Sequence, residues 1–190
     1  MPDIPTSTFR WLSSDDFFKS EAAARIPPVL RVLLTSDGTI TTALQALLLT
    51  PIGVEIIRQE EVRLDAAAAE FLAVEPGLDA LARDVCLTAR GRRWVYASSV
   101  LLTDGLPRPL LAALRTRRKP LGLLLNESGK PLTRDKLRIA QITNREAARV
   151  LGFPEDGSLW ARRYRMSLGE KLWADIREFF SPDLPGPVKS

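Results

Sequence analysis

Leu81-Ala82-Arg83-Asp84-Val85-Cys86-Leu87-Thr88-Ala89-Arg90-Gly91-Arg92-Arg93-Trp94-Val95-Tyr96-Ala97-Ser98-Ser99-Val100-Leu101 reads as two β-strands around a tight turn. In the first arm Leu81, Arg83, Val85 and Leu87 fall on one face, and Ala82, Asp84, Cys86 and Thr88 on the other, because side chains alternate along a strand. Ala89-Arg90-Gly91-Arg92 supplies a polar turn with a glycine available for positive φ. The second arm, from Trp94 to Leu101, is rich in strand-forming residues. Arg83 is the anomaly: a guanidinium shares the apolar face, where it needs an anion beside it.

A second anomaly lies near the C-terminus. Tyr164 to Leu168, Gly169-Glu170-Lys171 and Leu172 to Phe180 read as another hairpin. Its second arm places Leu172, Ala174, Ile176, Glu178 and Phe180 on one face and Trp173, Asp175, Arg177 and Phe179 on the other. Glu178 therefore sits between Ile176 and Phe180 on the apolar side. Two readings follow. Arg83 and Glu178 pair with each other, or one of the two strands faces water; alternatively they belong to a polar pocket, with the Arg for a carboxylate and the Glu for proton work. The pocket reading expects two antiparallel hairpins of one sheet, with Arg83 and Glu178 in a common cavity.

At 190 residues the chain suffices for one domain with a sizeable core. No apolar run approaches the length of a membrane span. No basic stretch followed by an apolar one opens the sequence, so no secretory leader is expected. The single cysteine, Cys86, excludes an intrachain disulfide, and these features together point to the cytoplasm. The net charge of +4 draws attention to Arg115-Thr116-Arg117-Arg118-Lys119 and Arg162-Arg163-Tyr164-Arg165. Acidic residues are interspersed and no nucleic-acid motif is present, so no nucleic-acid partner is expected. The first cluster reads as a solvated face; the second leaves an anionic small molecule open. The chain contains no histidine. That excludes Ser-His-Asp and Cys-His catalysis and removes the commonest zinc ligand. Any acid–base step falls to Asp, Glu, Lys, Tyr or Cys86.

Along the chain, Ser13 to Asp16 cap a short helix, and Pro27-Pro28 end or restart it. Ser36-Asp37-Gly38-Thr39-Ile40-Thr41 is a turn into a helix that runs to Pro51, with Thr39 or Thr41 as cap; free N–H groups there would suit a carboxylate, though a simple capped helix is the plainer reading. Gly53 to Leu64 is a strand candidate, and Asp65 caps an Ala-rich helix to Leu72. Pro107 to Leu114 and a segment starting at Pro120 read as helices, Asn126 to Leu132 as a loop and Asp135 to Ile142 as a strand. Thr143 caps a helix, Asn144 to Leu151, stopped by Gly152 and Pro154. Residues 1–28 form an irregular to helical extension and 183–190 a loose tail. The expected class is a single α+β domain: one antiparallel sheet with helices packed on one face.

From about Leu30 to Pro182 the chain resembles the chorismate pyruvate-lyase (4-hydroxybenzoate synthase) family. The resemblance rests on ordered signals: Ser36-Asp37-Gly38-Thr39-Ile40-Thr41, Arg83-Asp84-Val85 followed by a hairpin into Trp94, Lys119-Pro120-Leu121-Gly122, Thr133-Arg134-Asp135, Leu159-Trp160-Ala161-Arg162-Arg163 and Glu178-Phe179-Phe180-Ser181-Pro182. It implies an antiparallel sheet, an enclosed ligand cavity under flaps, and conversion of chorismate to 4-hydroxybenzoate and pyruvate without metal or organic cofactor. The roles it implies are ring-carboxylate binding by Arg83 and the backbone N–H groups of Ile40 and Leu121, and contact with the ring hydroxyl by Glu178. The turn Gly169-Glu170-Lys171 departs from the family's, and the arm to Glu178 is one residue longer, which flips its face unless a bulge absorbs the change.

The effector-binding domain of GntR-type repressors, the UTRA fold, shares this architecture and would need the Arg but not the Glu. Such regulators carry a winged helix ahead of this domain, and fewer than 40 residues precede Asp37 here. The use of the product, in quinone, glycolipid or another pathway, is open.

Overall fold

The computed structural model describes residues 10–104, 106, 108–116, 131–169 and 171–184. In chain order the elements are β1 (Leu12–Ser13), α1 (Ser14–Phe18), α2 (Glu21–Arg25), α3 (Pro28–Thr35), α4 (Ile40–Leu48), β2 (Gly53–Arg63), α5 (Ala66–Leu72), β3 (Asp79–Ala89), β4 (Arg92–Leu102), α6 (Arg108–Arg115), β5 (Leu132–Thr143), α7 (Arg145–Leu151), β6 (Ser158–Leu168) and β7 (Lys171–Phe180). The strands form one seven-stranded sheet in the order β1-β5-β6-β7-β4-β3-β2, and every neighbouring pair is antiparallel. Both expected hairpins are present, and β7 joins them by pairing with β4.

The β3–β4 turn places Arg90 at φ 53° and Gly91 at φ 72°, the two left-handed residues of a tight hairpin turn. Arg90 carries a Cβ in that region, and its side chain is held from outside: Nε donates to Thr50 Oγ1 at 3.0 Å and Nη2 to Leu48 O at 2.6 Å. The guanidinium so tethers the hairpin to the C-terminal end of α4, where a cation is favoured. In the second hairpin the ladder passes from Met166–Ala174 to Ser167–Leu172, so Trp173 is an extra residue on β7. The bulge lies ahead of Ala174, so Ile176, Glu178 and Phe180 share a face by unbroken alternation, while Trp173, expected on the opposite face, packs in the cluster of Leu81, Tyr164 and Ile176.

The sheet is covered on both faces. On one, α3 and α4 pack Leu30, Leu33, Leu34 and Leu44 against Leu87, Val95 and Phe180, while α6 brings Leu110 and Leu114 to Leu81, Leu101, Met166 and Ile176. On the other, Ala147, Ala148 and Leu151 of α7 meet Cys86, Tyr96 and Phe179, and α5 sets Ala68, Ala69 and Leu72 on Ala80 and Leu102. The single antiparallel sheet is as expected, but helices do not occupy one face alone. Central strands β3, β4 and β7 carry apolar residues on both sides, and α5 and α7 remove the second set from water.

Local boundaries differ in three places. The cap of α7 is Asn144, whose side chain accepts from Ala147 N at 2.8 Å, because Thr143 is still paired with Ser158 as the last residue of β5. The start of the chain is more than an extension: β1 pairs with β5, and Phe17 is buried. Leu184 is buried in the first core cluster and Asp183 forms an ion pair with Arg92, so the chain is anchored that far rather than loose from 183. The segment starting at Pro120, Leu121 included, most of the 126–132 loop, and residues 185–190 lie outside the described residues. Among those described, no helix is long and apolar enough to cross a membrane.

Candidate active site

Cross-strand pairing sets the site out in two adjacent rows on the face covered by α3, α4 and α6. One row runs Gln59, Arg83, Ser99, Ile176, Tyr164 across β2, β3, β4, β7 and β6. The next runs Val85, Ala97, Glu178, Arg162, Ile139 across β3, β4, β7, β6 and β5. Together they make a polar band between the two apolar clusters of this face. Arg83 is 2% exposed, Arg162 0%, Tyr164 4% and Glu178 7%. Val85 and Ala97, apolar residues of central strands in the middle of the band, are only partly buried.

Arg83 and Glu178 thus point to the same side of the sheet, two strands and two residues apart, or ~12 Å between Cα atoms by strand spacing and rise. Burial pushes the Arg83 pKa below the ordinary guanidinium value, which makes an anion in the band a favourable neighbour. Ser99 Oγ donates to the Arg83 carbonyl at 2.9 Å and fixes the strand beneath the side chain. Gln59 Nε2 donates to Leu114 O at 2.8 Å, tying β2 to the end of α6.

Glu178 does not pair with Arg83. Arg162 Nε donates to Glu178 Oε2 at 2.5 Å, and the Tyr164 hydroxyl donates to Oε1 at 3.2 Å. Burial works against the charge of Arg162, but the Glu178 carboxylate outweighs it and the pKa is raised. Burial, then the negative charge of Glu178, raise the Tyr164 pKa, so its hydroxyl stays a neutral donor. Arg162 Nη1 donates to Leu33 O at 2.8 Å and Ser36 O at 2.6 Å, satisfying carbonyls at the end of α3. Arg134 Nη1 donates to Asp37 O at 3.0 Å, and Ser36 Oγ accepts from Gly38 N at 3.1 Å. The turn before α4 is therefore clamped by two arginines from the sheet.

Of the residues the sequence singled out, Arg83 and Glu178 lie in adjacent rows of one band. Ile40 heads α4 just after the clamped turn; Thr39 is its cap but makes no side-chain capping bond, leaving first-turn N–H groups available. Leu121 lies outside the described residues. Arg162, Tyr164 and Arg134 were not singled out as site residues, yet alternation along β6 puts Arg162 and Tyr164 on the apolar face by the argument that exposed Arg83. The basic run 162–165 splits: Arg163 forks Asp175 at 2.9 and 2.7 Å, and Arg165 pairs with Asp135, both on the opposite face. Only Arg162 of the three arginines enters the band. In the other basic run, Arg115 pairs with Glu61, and Arg117, Arg118 and Lys119 lie outside the described residues.

A model of the family described as "Chorismate pyruvate-lyase Rv2949c-like" matches residues 34–186. A probable chorismate pyruvate-lyase of Pseudomonas putida is 28% identical over 152 residues, covering 80% of each chain. Among solved structures, PhnF from Mycobacterium smegmatis is similar with a TM-score of 0.62, 17% identity, and coverage of 79% of this chain and 66% of that one. The ligand-binding domain of a putative GntR-family regulator from Bordetella bronchiseptica gives 0.56 and 21%, covering 70% and 86%. At these identities the structural matches establish the fold alone, an antiparallel sheet of the type found in UTRA domains.

Proposed function

The chain belongs to the Rv2949c-like chorismate pyruvate-lyase family, and on that footing we propose that it eliminates pyruvate from chorismate to give 4-hydroxybenzoate. The observation that carries the reading is the buried band: a guanidinium and a carboxylate on one face of the sheet, two strands apart, with the partly buried Val85 and Ala97 between them. Arg83 takes the ring carboxylate, for which its planar fork is suited. The backbone N–H groups of Ile40 and Leu121 complete that end. Glu178 takes the ring hydroxyl.

In the reaction the carbon–oxygen bond to the enolpyruvyl group breaks and its electron pair leaves on oxygen. A ring proton is lost, the ring becomes aromatic, and enolpyruvate gains a proton on carbon to become pyruvate. Aromatisation supplies much of the driving force, so orientation and one proton-handling group suffice. No metal or organic cofactor enters this scheme, and a site without histidine is no handicap to it.

Incubation of the purified protein with chorismate, followed by chromatography of the products, tests the reading. Equal amounts of 4-hydroxybenzoate and pyruvate are expected. Binding of chorismate or 4-hydroxybenzoate without turnover would point instead to an effector-type binding module, and 3-hydroxybenzoate would name a different isomer.

A further inference from the structure

Arg162 uses only part of its hydrogen-bonding capacity. A guanidinium has five N–H donors. Those of Nε and Nη1 are engaged by Glu178, Leu33 O and Ser36 O. Nη2 has no partner among the described residues and is closed off from solvent. Nη2 lies on the same edge of the guanidinium as Nε, the edge with which an arginine forks a carboxylate. One residue along, Arg163 does so with Asp175, Nε to Oδ1 at 2.9 Å and Nη2 to Oδ2 at 2.7 Å. At Arg162 the fork is half filled, because Tyr164 engages the second oxygen of Glu178. A second donor, Arg134 Nε, is likewise closed off and has no hydrogen-bond acceptor among the described residues. The two guanidinium carbons lie 5.2 and 5.9 Å from the centre of the Tyr164 ring, so both cations border the Tyr164 end of the band.

We propose that Arg162 Nη2, assisted by Arg134, receives the carboxylate of the enolpyruvyl side chain. The inference rests on the chorismate reading above and adds a second anion subsite to it. Chorismate is a dianion and carries its enolpyruvyl ether on the ring carbon next to the one that bears the hydroxyl. With the ring carboxylate on Arg83 and the hydroxyl on Glu178, the ether lies beside Glu178. Among the described residues, the donors with spare capacity there are Arg162 Nη2 and, beside it, Arg134 Nε. The two carboxylates are then held at opposite ends of the band by different arginines. On elimination the enolpyruvate carboxylate stays with Arg162, while 4-hydroxybenzoate retains only the contacts to Arg83 and Glu178. Recognition of substrate and product therefore separates at Arg162.

The test compares a stable aromatic dianion with its monoanionic counterpart. Binding of 3-(carboxymethoxy)-4-hydroxybenzoate and of 3-ethoxy-4-hydroxybenzoate is measured by calorimetry on the unmodified protein and on Arg162→Gln and Arg162→Lys. The unmodified protein is expected to bind the first at least tenfold more tightly. Arg162→Gln should abolish that preference, because any loss that comes through the displaced Glu178 falls on both ligands alike. Arg162→Lys retains a charge but lacks the fork, and should keep part of the preference; it decides the matter if the Gln variant fails to fold. No preference in the unmodified protein would overturn the proposal, as would a preference that persists in Arg162→Gln, an undiminished preference in Arg162→Lys, or an equal loss of affinity for both ligands. Failure of the chorismate reading is distinguishable, since it appears as absence of turnover by the unmodified protein.

Discussion

Arg162 and Glu178 are directly opposed across the β6–β7 ladder, and their side chains meet at 2.5 Å with almost no access to water. Such a pair is weak evidence for stability, because its desolvation offsets much of its attraction. Its structural consequence is geometric. The guanidinium that holds Glu178 also holds the last carbonyls of α3, so the carboxylate and the turn into α4 are positioned by one side chain. Removing either partner leaves the other charge buried, a loss of ~3–5 kcal/mol for broken buried pairs.

Arg83→Ala is expected to act mainly on binding. It leaves the ligand carboxylate without its cation in a buried band, which corresponds to about 2–5 kcal/mol for a desolvated charge pair. Arg83→Lys should recover only part of this, since a point charge lacks the bidentate geometry. Calorimetric affinities for 4-hydroxybenzoate measure both, and an unchanged value in a folded Arg83→Ala protein would remove Arg83 from the site.

Activity is expected to survive strong chelators and exhaustive dialysis. The chain offers no histidine and one cysteine, so the usual nitrogen and sulfur ligands are not available in number. Turnover of chorismate before and after chelation checks this, and a loss restored by added metal would contradict it.

Alkaline pH is expected to destabilise the fold from about the ordinary thiol range upward. Burial pushes the Cys86 thiol from 9.0 up to about 12. The unfolded thiol therefore releases its proton at lower pH than the folded one. The stability that Cys86 contributes is fully present below its unfolded pKa and is lost as pH rises through the folded value. Tyr96 and Tyr164 are raised in the same direction by burial. Urea unfolding between pH 8 and 11 should show a falling midpoint, with a shallower fall in Cys86→Ala. Native Cys86 should also resist thiol reagents at pH 8 and react on unfolding.

Both hairpins, and the face that Arg83 and Glu178 share with apolar neighbours, were legible because alternation is a local property of a strand. The partner of Glu178 was not. It depends on β7 lying between β6 and β4, and no local pattern encodes that order. Arg162 was within reach of the same rule, but it read as one member of a basic run open to an anionic small molecule, not as the partner of Glu178. The second covered face was missed because Ala82, Asp84 and Cys86 look compatible with water, whereas Asp84 is 1% exposed and pairs with Arg58 at 2.8 Å. At α7, Thr143 and Asn144 are both good caps, and the length of β5 decides between them.

Glu178→Ala should lower the turnover number more than it weakens 4-hydroxybenzoate binding. In this reading Glu178 contacts the ring hydroxyl next to the leaving group, while Arg83 at the other end of the band holds the ring carboxylate. The substitution also strips Arg162 of its carboxylate, so thermal unfolding must be followed in parallel to separate lost chemistry from lost structure. Glu178→Gln keeps the shape and two hydrogen-bonding atoms but cannot exchange a proton. It retains a carbonyl to accept from Arg162 Nε or from the Tyr164 hydroxyl, so its fold should be disturbed less. A large fall in turnover with Gln, at near-normal product affinity, assigns Glu178 to proton handling. Near-normal turnover with Gln and a fall with Ala would limit Glu178 to orienting the ring, with proton transfer left to water. Full turnover with a folded Ala variant would take Glu178 out of the reaction altogether.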